Sequence, residues 1–304
     1  MNITFSDPFD AEGQWFKGNL HAHTTNSDGL LTPRQLTSRY REGGYDFLSI
    51  TDHGKRTDTS SLSGEDLLVI PGEEICVGTS QAGRLFHVVG VGIEEELPLE
   101  DADRDASPQE AIDLIRGLGG IAFIGHPYWS ELNHADLAGL TGHLGIEVYN
   151  TTCDLSIGRG FSGVHWDSLL TRGRRPMGFA VDDTHSKELE LLPSDSCRAW
   201  INVKAASLEA DKILDSVRRG LYYSSIGPKI RSINVADGEI EVSCSPARSI
   251  AFISNRSLGR KYTEGEGNLE SAVYSLKGSE RYIRIEVSDR IGRIAWSNPI
   301  YIEG

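Results

Sequence analysis

Seven short runs of consecutive apolar residues punctuate the first two thirds of the chain. They are "YDFLSIT" (45–51), "LLVIPG" (67–72), "FHVVGVGI" (86–93), "GIAFIG" (120–125), "GIEVYN" (145–150), "PMGFAV" (176–181) and "RAWINVKA" (198–205). They show little polar alternation, which predicts strands buried on both faces, as in a parallel sheet covered by helices. Helical patterns fall between some of them. In 32–44, Thr32 is the expected N-cap, Pro33 fits the first turn, and Gly43 or Gly44 ends the helix. In 107–120, Ser107 caps, Pro108 takes the first position, Glu110 completes a capping box and Gly119 stops the helix, with Ile112, Ile115 and Leu118 as its apolar stripe. In 207–220, Ser207 is the expected cap, Ile213, Leu214 and Val217 face inward, and Gly220 terminates. Strand–helix alternation of this kind predicts an α/β fold, either a βα barrel or a doubly wound sheet.

After Pro228 the texture changes. Alternating apolar and polar positions and turn dipeptides such as Asp237-Gly238 predict antiparallel strands without a helix. The expected organisation is a large α/β domain over 1–228 and a small antiparallel β module over 229–304. The acidic stretch 94–106, "EEELPLEDADRDA", reads as a solvated connection.

With 304 residues, 38% hydrophobic and 24% charged, the composition is that of a globular protein. No apolar run approaches the roughly 18 residues that span a bilayer, and the N-terminus lacks a basic-then-apolar pattern, so the expectation is a cytoplasmic protein without a membrane partner. The formal net charge of −14 argues against binding a nucleic-acid polymer, which needs cations to replace phosphate counterions. "RGRR" (172–175) and "RR" (218–219) read as surface arginines near helix ends. Cys76, Cys153, Cys197 and Cys244 form no CxxC pair and read as reduced, mostly buried thiols rather than a thiolate zinc site.

The candidate chemistry lies at strand ends. "HAH" places His21 and His23 on one face of a strand, because residues i and i+2 point the same way. "SITDHG" puts Asp52 and His53 after the next strand, and "PGEEIC" offers Glu73 and Glu74. "LFHVVG" offers His87, "IGHPYW" offers His126, and "AVDDTH" offers Asp182, Asp183 and His185. In parallel α/β folds the C-terminal strand ends carry the active site. Imidazole with carboxylate suits Zn, Mn or Fe, and a carboxylate bridging two ions is a common device for hydrolysis.

"HAHTTNSDG", "SITDHG", "PGEEI", "FHVVGVGI", "GHP" and "DDTH" resemble, in order over about 15–228, the motifs of the PHP (polymerase and histidinol phosphatase) family of metal-dependent phosphoesterases. "YYSSIGPKI" (222–230) and the ending "RIAWSNPIYI" resemble a subgroup of PHP-like metallohydrolases with a C-terminal β module, which includes enzymes acting on carboxylic or carbamate esters. The resemblance implies a distorted (β/α)7 TIM-like barrel carrying two or three divalent ions. One ion would be held by His21, His23, Glu74 and Asp183, a second by Glu74, His87 and His126, and a third by Asp28, His53 and His185. Glu74 rather than Glu73 fits the family's Gly-x-Glu, and Asp183 rather than Asp182 fits its Asp-x-His.

The expected activity is hydrolysis of a small anionic phosphate ester through a metal-bridged hydroxide, with Glu74, His53 and His185 as catalytic groups. The alternatives are a carboxylic or carbamate ester hydrolase using the same site, and a non-catalytic, metal-stabilised binding module. Arg159 in a Gly-flanked loop and Asn150 at a strand end are the candidate substrate contacts. Ser224 and Ser225 either line the site or belong to the turn at Gly227-Pro228. His134, His143 and His165 lack a partner motif and read as surface or packing residues.

Overall fold

The computed structural model describes residues 2–186 and 194–303. In chain order the elements begin with β1 (Asn2–Thr4), β2 (Gln14–Asn19), α1 (Pro33–Glu42), β3 (Phe47–Ile50), β4 (Leu68–Val77), β5 (Phe86–Val91), α2 (Pro108–Gly117), β6 (Ile121–Ile124) and α3 (His134–Ala138). Then come β7 (Gly145–Asn150), α4 (Thr151–Ile157), α5 (Gly163–Thr171), β8 (Met177–Val181), β9 (Trp200–Ala205), α6 (Ala210–Arg218) and β10 (Tyr222–Ser225). The remainder is β11 (Ile230–Ala236), β12 (Glu239–Ala247), β13 (Ser249–Ile253), β14 (Gly259–Thr263), β15 (Leu269–Ser275), β16 (Tyr282–Ser288), β17 (Ile294–Ser297) and β18 (Ile300–Glu303). After Pro228 the described residues contain strands and no helix.

The seven strands β2 to β8 run side by side in sequence order. Directly beyond β2 and β8, Ala22 bridges Thr184 in parallel; Asp183 N–H donates to His21 O at 3.0 Å and His23 N–H to Thr184 O at 2.9 Å. The strand directions are mixed. β2–β3, β3–β4, β6–β7 and β7–β8 pair in parallel, whereas β4–β5 and β5–β6 are antiparallel. The apolar runs thus correctly locate strands but do not make the sheet all-parallel. Continuous apolar sequence reports burial on two faces; it carries no information on direction. No helix separates β4 from β5, so the chain turns straight back.

Local capping follows two of the expected patterns only in part. Thr32 caps α1 with a complete capping box to Gln35. Ser107 caps α2 through Gln109 N–H, and the expected reciprocal bond from Glu110 is not part of the cap. The N-cap of α6 lies two residues after the expected one: Glu209 occupies it, and Ser207 Oγ instead donates to Glu209 Oε2 at 3.1 Å. Ile213, Leu214 and Val217 are buried as the pattern requires. "TTCDLSI" forms a helix that the pattern did not announce, α4, which begins directly at the end of β7 with Asn150 as its N-cap.

β9 and β10 extend the sheet antiparallel beside β2, and β10 pairs onward with β17. β1, from the other end of the chain, pairs with β18. β11, β12 and β15 form a separate three-stranded sheet, which packs on β13, β16 and β18 through Ile233, Val242, Ile250, Ile285 and Ile300.

One polar clamp joins β16 to the helix layer. Arg284, 2% exposed, reaches Asp167 of α5 with Nε–Oδ1 and Nη2–Oδ2 both at 2.7 Å, and Glu286 Oε1 at 2.5 Å. Its guanidinium lies 5.0 Å from the Trp166 ring. Removing one member of a buried pair strands the others without a counter-charge. Arg284→Ala is therefore expected to lower the unfolding free energy by on the order of 3 kcal/mol, measured by urea unfolding; an unchanged midpoint contradicts the clamp.

Candidate metal centre

The strand ends deliver their imidazoles and carboxylates to one cavity. Glu74 of β4 stands at its centre. Its Oε2 lies 3.0 Å from His21 Nε2, 3.1 Å from His23 Nε2 and 3.3 Å from His53 Nδ1. Its Oε1 lies 2.7 Å from His87 Nδ1 and 3.4 Å from His126 Nε2. Asp183 Oδ1 closes the first group, 3.3 Å from His21 Nε2 and 3.0 Å from His23 Nε2.

Four donor atoms at such spacing match the shell of a first-row divalent ion. Bonds of about 2.1 Å place tetrahedral donors about 3.4 Å apart, and closer in octahedral shells. Three groups of three or four donors gather closely enough to share an ion: His21, His23, Glu74 and Asp183; Glu74, His87 and His126; and His23, Asp28, His53 and His185. The last is the loosest. His185 Nε2 is 3.1 Å from Asp28 Oδ2, but His53 Nε2 is 4.0 Å from Asp28 Oδ1, and the Asp28 side chain is 50% exposed. A fourth group joins Cys76 to His53 and His87, with Sγ 3.5 Å and 3.4 Å from their Nδ1 atoms. No motif around Cys76 singles out that thiol.

Backbone conformation contributes to the convergence. His126 and Asp183, each just past its strand, have φ of +24° and +51°, where L residues are rarely found. Such conformations cost on the order of 1–3 kcal/mol and persist where the surroundings enforce them. A Cβ on Gly125 would stand 3.3 Å from His87 Cβ, so glycine there leaves room for that imidazole.

The field in the cluster is set by burial and by close opposite charge. Burial pushes the Glu74 and Asp183 carboxyls up, but the imidazoles around them outweigh it and hold both well below the carboxylate range. Burial pushes His23 down, yet Asp183 and Glu74 pull it up to about 9. A cation and protons compete for these same lone pairs. Asp182, one residue away, differs. Burial raises it to about 6 although Tyr40 OH, Thr151 Oγ1 and the N–H groups of Cys197 and Ala199 donate to it at 2.7–2.9 Å. It is a structural anchor tying α1, α4 and the start of β9 to the end of β8.

Supporting residues orient the donors, and most of them carried no sequence signal. Glu147, fully buried in β7, lies 2.6 Å from His21 Nδ1 and accepts from His126 N–H at 2.7 Å and Asn150 Nδ2 at 2.8 Å. A carboxylate at Nδ1 fixes the proton there and leaves Nε2 free to ligate. The only hint was an acid inside an apolar strand. Asp195 accepts from His185 N–H, Thr184 Oγ1 and Thr152 Oγ1. Asp52 accepts from Thr24 N–H, Thr24 Oγ1, Ser27 Oγ and Thr57 Oγ1, and so shapes the loop that carries Asp28.

The expected substrate contacts lie elsewhere. Asn150 is fully buried; its amide donates to Glu147 and to Asp183 Oδ2 at 3.1 Å, and its Oδ1 caps α4 at Cys153 N–H. It holds the centre together instead of facing a ligand. Arg159 pairs with Glu131 at 2.8 Å and does not line the cavity. Ser224 Oγ bonds Gly178 O and Ala180 N–H, and Ser225 Oγ bonds Pro228 O, which leaves both to backbone duties. His134, His143 and His165 stay outside the donor groups.

The cavity has a volume of about 440 Å³. Its floor is Asp28, His53, Glu74, His87, His126, Asp183 and His185, and its walls include Trp129, Leu155 and Ile157. No Lys or Arg stands among the described residues lining it. Among the described residues no helix is long and apolar enough to cross a membrane.

No family model matches the sequence. Over 82 residues the chain is 42% identical to the 5′-3′ exoribonuclease Rnm of Salmonella typhimurium, a stretch covering 25% of this chain and 27% of that protein. Over 84 residues it is 32% identical to a phosphoribosyl 1,2-cyclic phosphate 1,2-diphosphodiesterase of Eggerthella lenta, covering 26% and 32%. The chain thus spans about a quarter to a third of the length of these curated relatives. A solved two-domain protein from Bacteroides vulgatus, containing a predicted PHP-like metal-dependent phosphoesterase, matches over 91% of each chain with a TM-score of 0.51 at 16% identity, which shows a common fold. The solved structure carries the PHP-like resemblance at the level of fold. One expectation falls. Relatives named as exoribonucleases contradict the exclusion of nucleic-acid polymers. The net charge of −14 is a sum over the whole chain; cations held by the donor groups would set the field where a phosphate would lie.

Glu147→Gln keeps the shape but removes the charge that orients His21. Metal affinity is expected to fall about 10–100-fold, read by competition with a chelator of known strength. Unchanged affinity contradicts the orienting role.

Proposed function

We propose that this PHP-like chain is a metal-dependent hydrolase of phosphoric esters, acting on nucleotide phosphates or nucleic-acid ends. The observation that carries this reading is Glu74, whose two oxygens face two separate donor groups at 2.7–3.4 Å. We take His21, His23, Glu74 and Asp183 as one ion site, Glu74, His87 and His126 as a second, and Asp28, His53 and His185 with His23 as a weaker third. Zn, Mn or Fe in the first two would activate water and neutralise phosphoryl oxygens.

The chain's own groups do the rest. Glu74 fixes the separation of the two sites. Asn150 and Glu147 hold Asp183 and His21 in place. His185, whose Nδ1 lies 2.9 Å from Asp183 O, presents Nε2 toward the half-exposed Asp28 and, with no ion in the third site, can hold a proton there for the leaving oxygen. His53, beside it, is the other candidate. The open side of the cluster distinguishes it from a structural site, which closes four ligands around its ion. We read the β2-to-β8 order, with residues 21–23 meeting 183–184, as the distorted (β/α)7 barrel, and the strands after Pro228 as an appended module.

Turnover of chromogenic phosphate and carboxylate esters by metal-loaded protein tests the chemistry. Release from the phosphate ester, abolished by chelation and restored by a divalent ion, is expected; preference for the carboxylate ester overturns the assignment. Glu74→Ala is expected to remove the ions of both sites together and bring turnover to background. Elemental analysis that finds full metal content in the variant refutes the bridge. The rate is also expected to fall as pH drops, because protons compete with the ions for imidazoles whose proton affinity the carboxylates raise, His23 to about 9; a profile flat to about pH 4 contradicts histidine ligation.

A further inference from the structure

We propose that Trp129, with Leu155 and Ile157 of α4, forms a subsite for the nucleobase of a terminal nucleotide, and that the cavity admits one nucleotide unit at a time. This rests on the phosphoester reading above and names the part of the substrate that the donor floor does not explain.

The cavity is two-natured. Its floor is imidazole and carboxylate, yet its walls are indole and aliphatic. Trp129 stands upright at the edge of the second donor group: its ring is 5.7 Å from His87 and 5.0 Å from His126, at 80° and 81° to them. Ile157, at the end of α4, is 59% exposed. Half-buried Trp129 and Leu155 and exposed Ile157, apolar groups beside an ion-binding floor, contribute nothing to phosphate recognition. They suit a ligand that joins an anion to a planar apolar body, and every nucleobase offers a π-face for stacking. Exposed Ser156, on the same turn, gives a hydrogen-bonding partner for base or sugar edges.

Size sets the second half of the inference. At about 440 Å³ the cavity falls within the roughly 300–1,000 Å³ of small-ligand sites. That holds one nucleotide, so a following residue must leave through the mouth and cleavage is confined to a strand end. Wall and floor are also coupled by the chain itself. Asn150 caps α4 and bonds Asp183, so the helix bearing Leu155 and Ile157 is set against the donors by one side chain.

The test compares wild type, Trp129→Leu and Ile157→Ser, each checked for metal content. Adenosine 5′-monophosphate is the base-bearing ester and glycerol phosphate the base-free one. Trp129→Leu is expected to raise KM for the nucleotide about tenfold or more, the scale of one lost stack, Ile157→Ser to raise it by a smaller factor, and both to raise it far less for glycerol phosphate. Titrating adenosine monophosphate is expected to quench indole emission in wild type and not in Trp129→Leu. Equal KM changes for both esters, or quenching that survives Trp129→Leu, overturns the subsite. If wild type hydrolyses neither ester but the nucleotide still quenches Trp129, the phosphoester reading fails and the subsite stands.

Discussion

One carboxylate constrains this structure more than any other group. Glu74 is 1% exposed and lies within 3.4 Å of five imidazole nitrogens, three around Oε2 and two around Oε1. A buried carboxylate is tolerated only where opposite charge or donors compensate it. Those partners come from β2, β3, β5 and β6 and the turns that follow them. Any sheet arrangement that failed to bring these ends together would leave a charge stranded in the core.

The reversal at β5 follows from the same demand. His87 sits early in its strand, whereas His21, His23, His53 and His126 sit at or past the ends of theirs. Run parallel to β4, β5 would carry an early residue to the wrong end of the sheet. Antiparallel pairing places His87 directly opposite Cys76, diagonal to Glu74, at the same level as the other donors. The price is a thiol within 3.6 Å of two imidazoles, which only burial and reduction keep inert. The buried hydrogen-bonded acids beyond the cluster then lock the geometry. Glu147 grips two donor-bearing segments, Asp52 the loop of Asp28, and Asp182 the end of β8, so the donors rest on satisfied polar networks and not on loops free to drift.

Much of the donor set was legible because its parts are local words. His-x-His, Asp-His-Gly and Asp-Asp-x-His each sit at a strand end that apolar runs announce, and parallel strands aim such ends at one place. What could not be read depends on contacts remote in sequence. Glu147 meets His21 across 126 positions, and nothing near "GIEVYN" reveals that partner. Asn150 was legible as a strand-end polar group but not as a helix cap, because α4 starts without a gap and its sequence lacks a strong apolar period. Arg159 has the chemistry to grip an anion, yet the acid that claims it, Glu131, lies in another loop. Strand direction was hidden for a simpler reason: side-chain burial is the same whichever way a central strand runs.

Charge is where bulk and local arguments part most sharply. A chain of net charge −14 repels a polyanion at long range, and at physiological salt that repulsion is screened beyond about 8 Å. A reaction at one terminal phosphate needs compensation only over that distance. The donor floor can supply it with ions, while the acidic exterior weakens lodging along the length of a strand. On the proposed function, an acidic chain with cations in its cavity would favour short contacts at an end over long contacts along a backbone. On that same proposal, the composition that argued against a nucleic-acid partner instead limits how much of one the chain would hold.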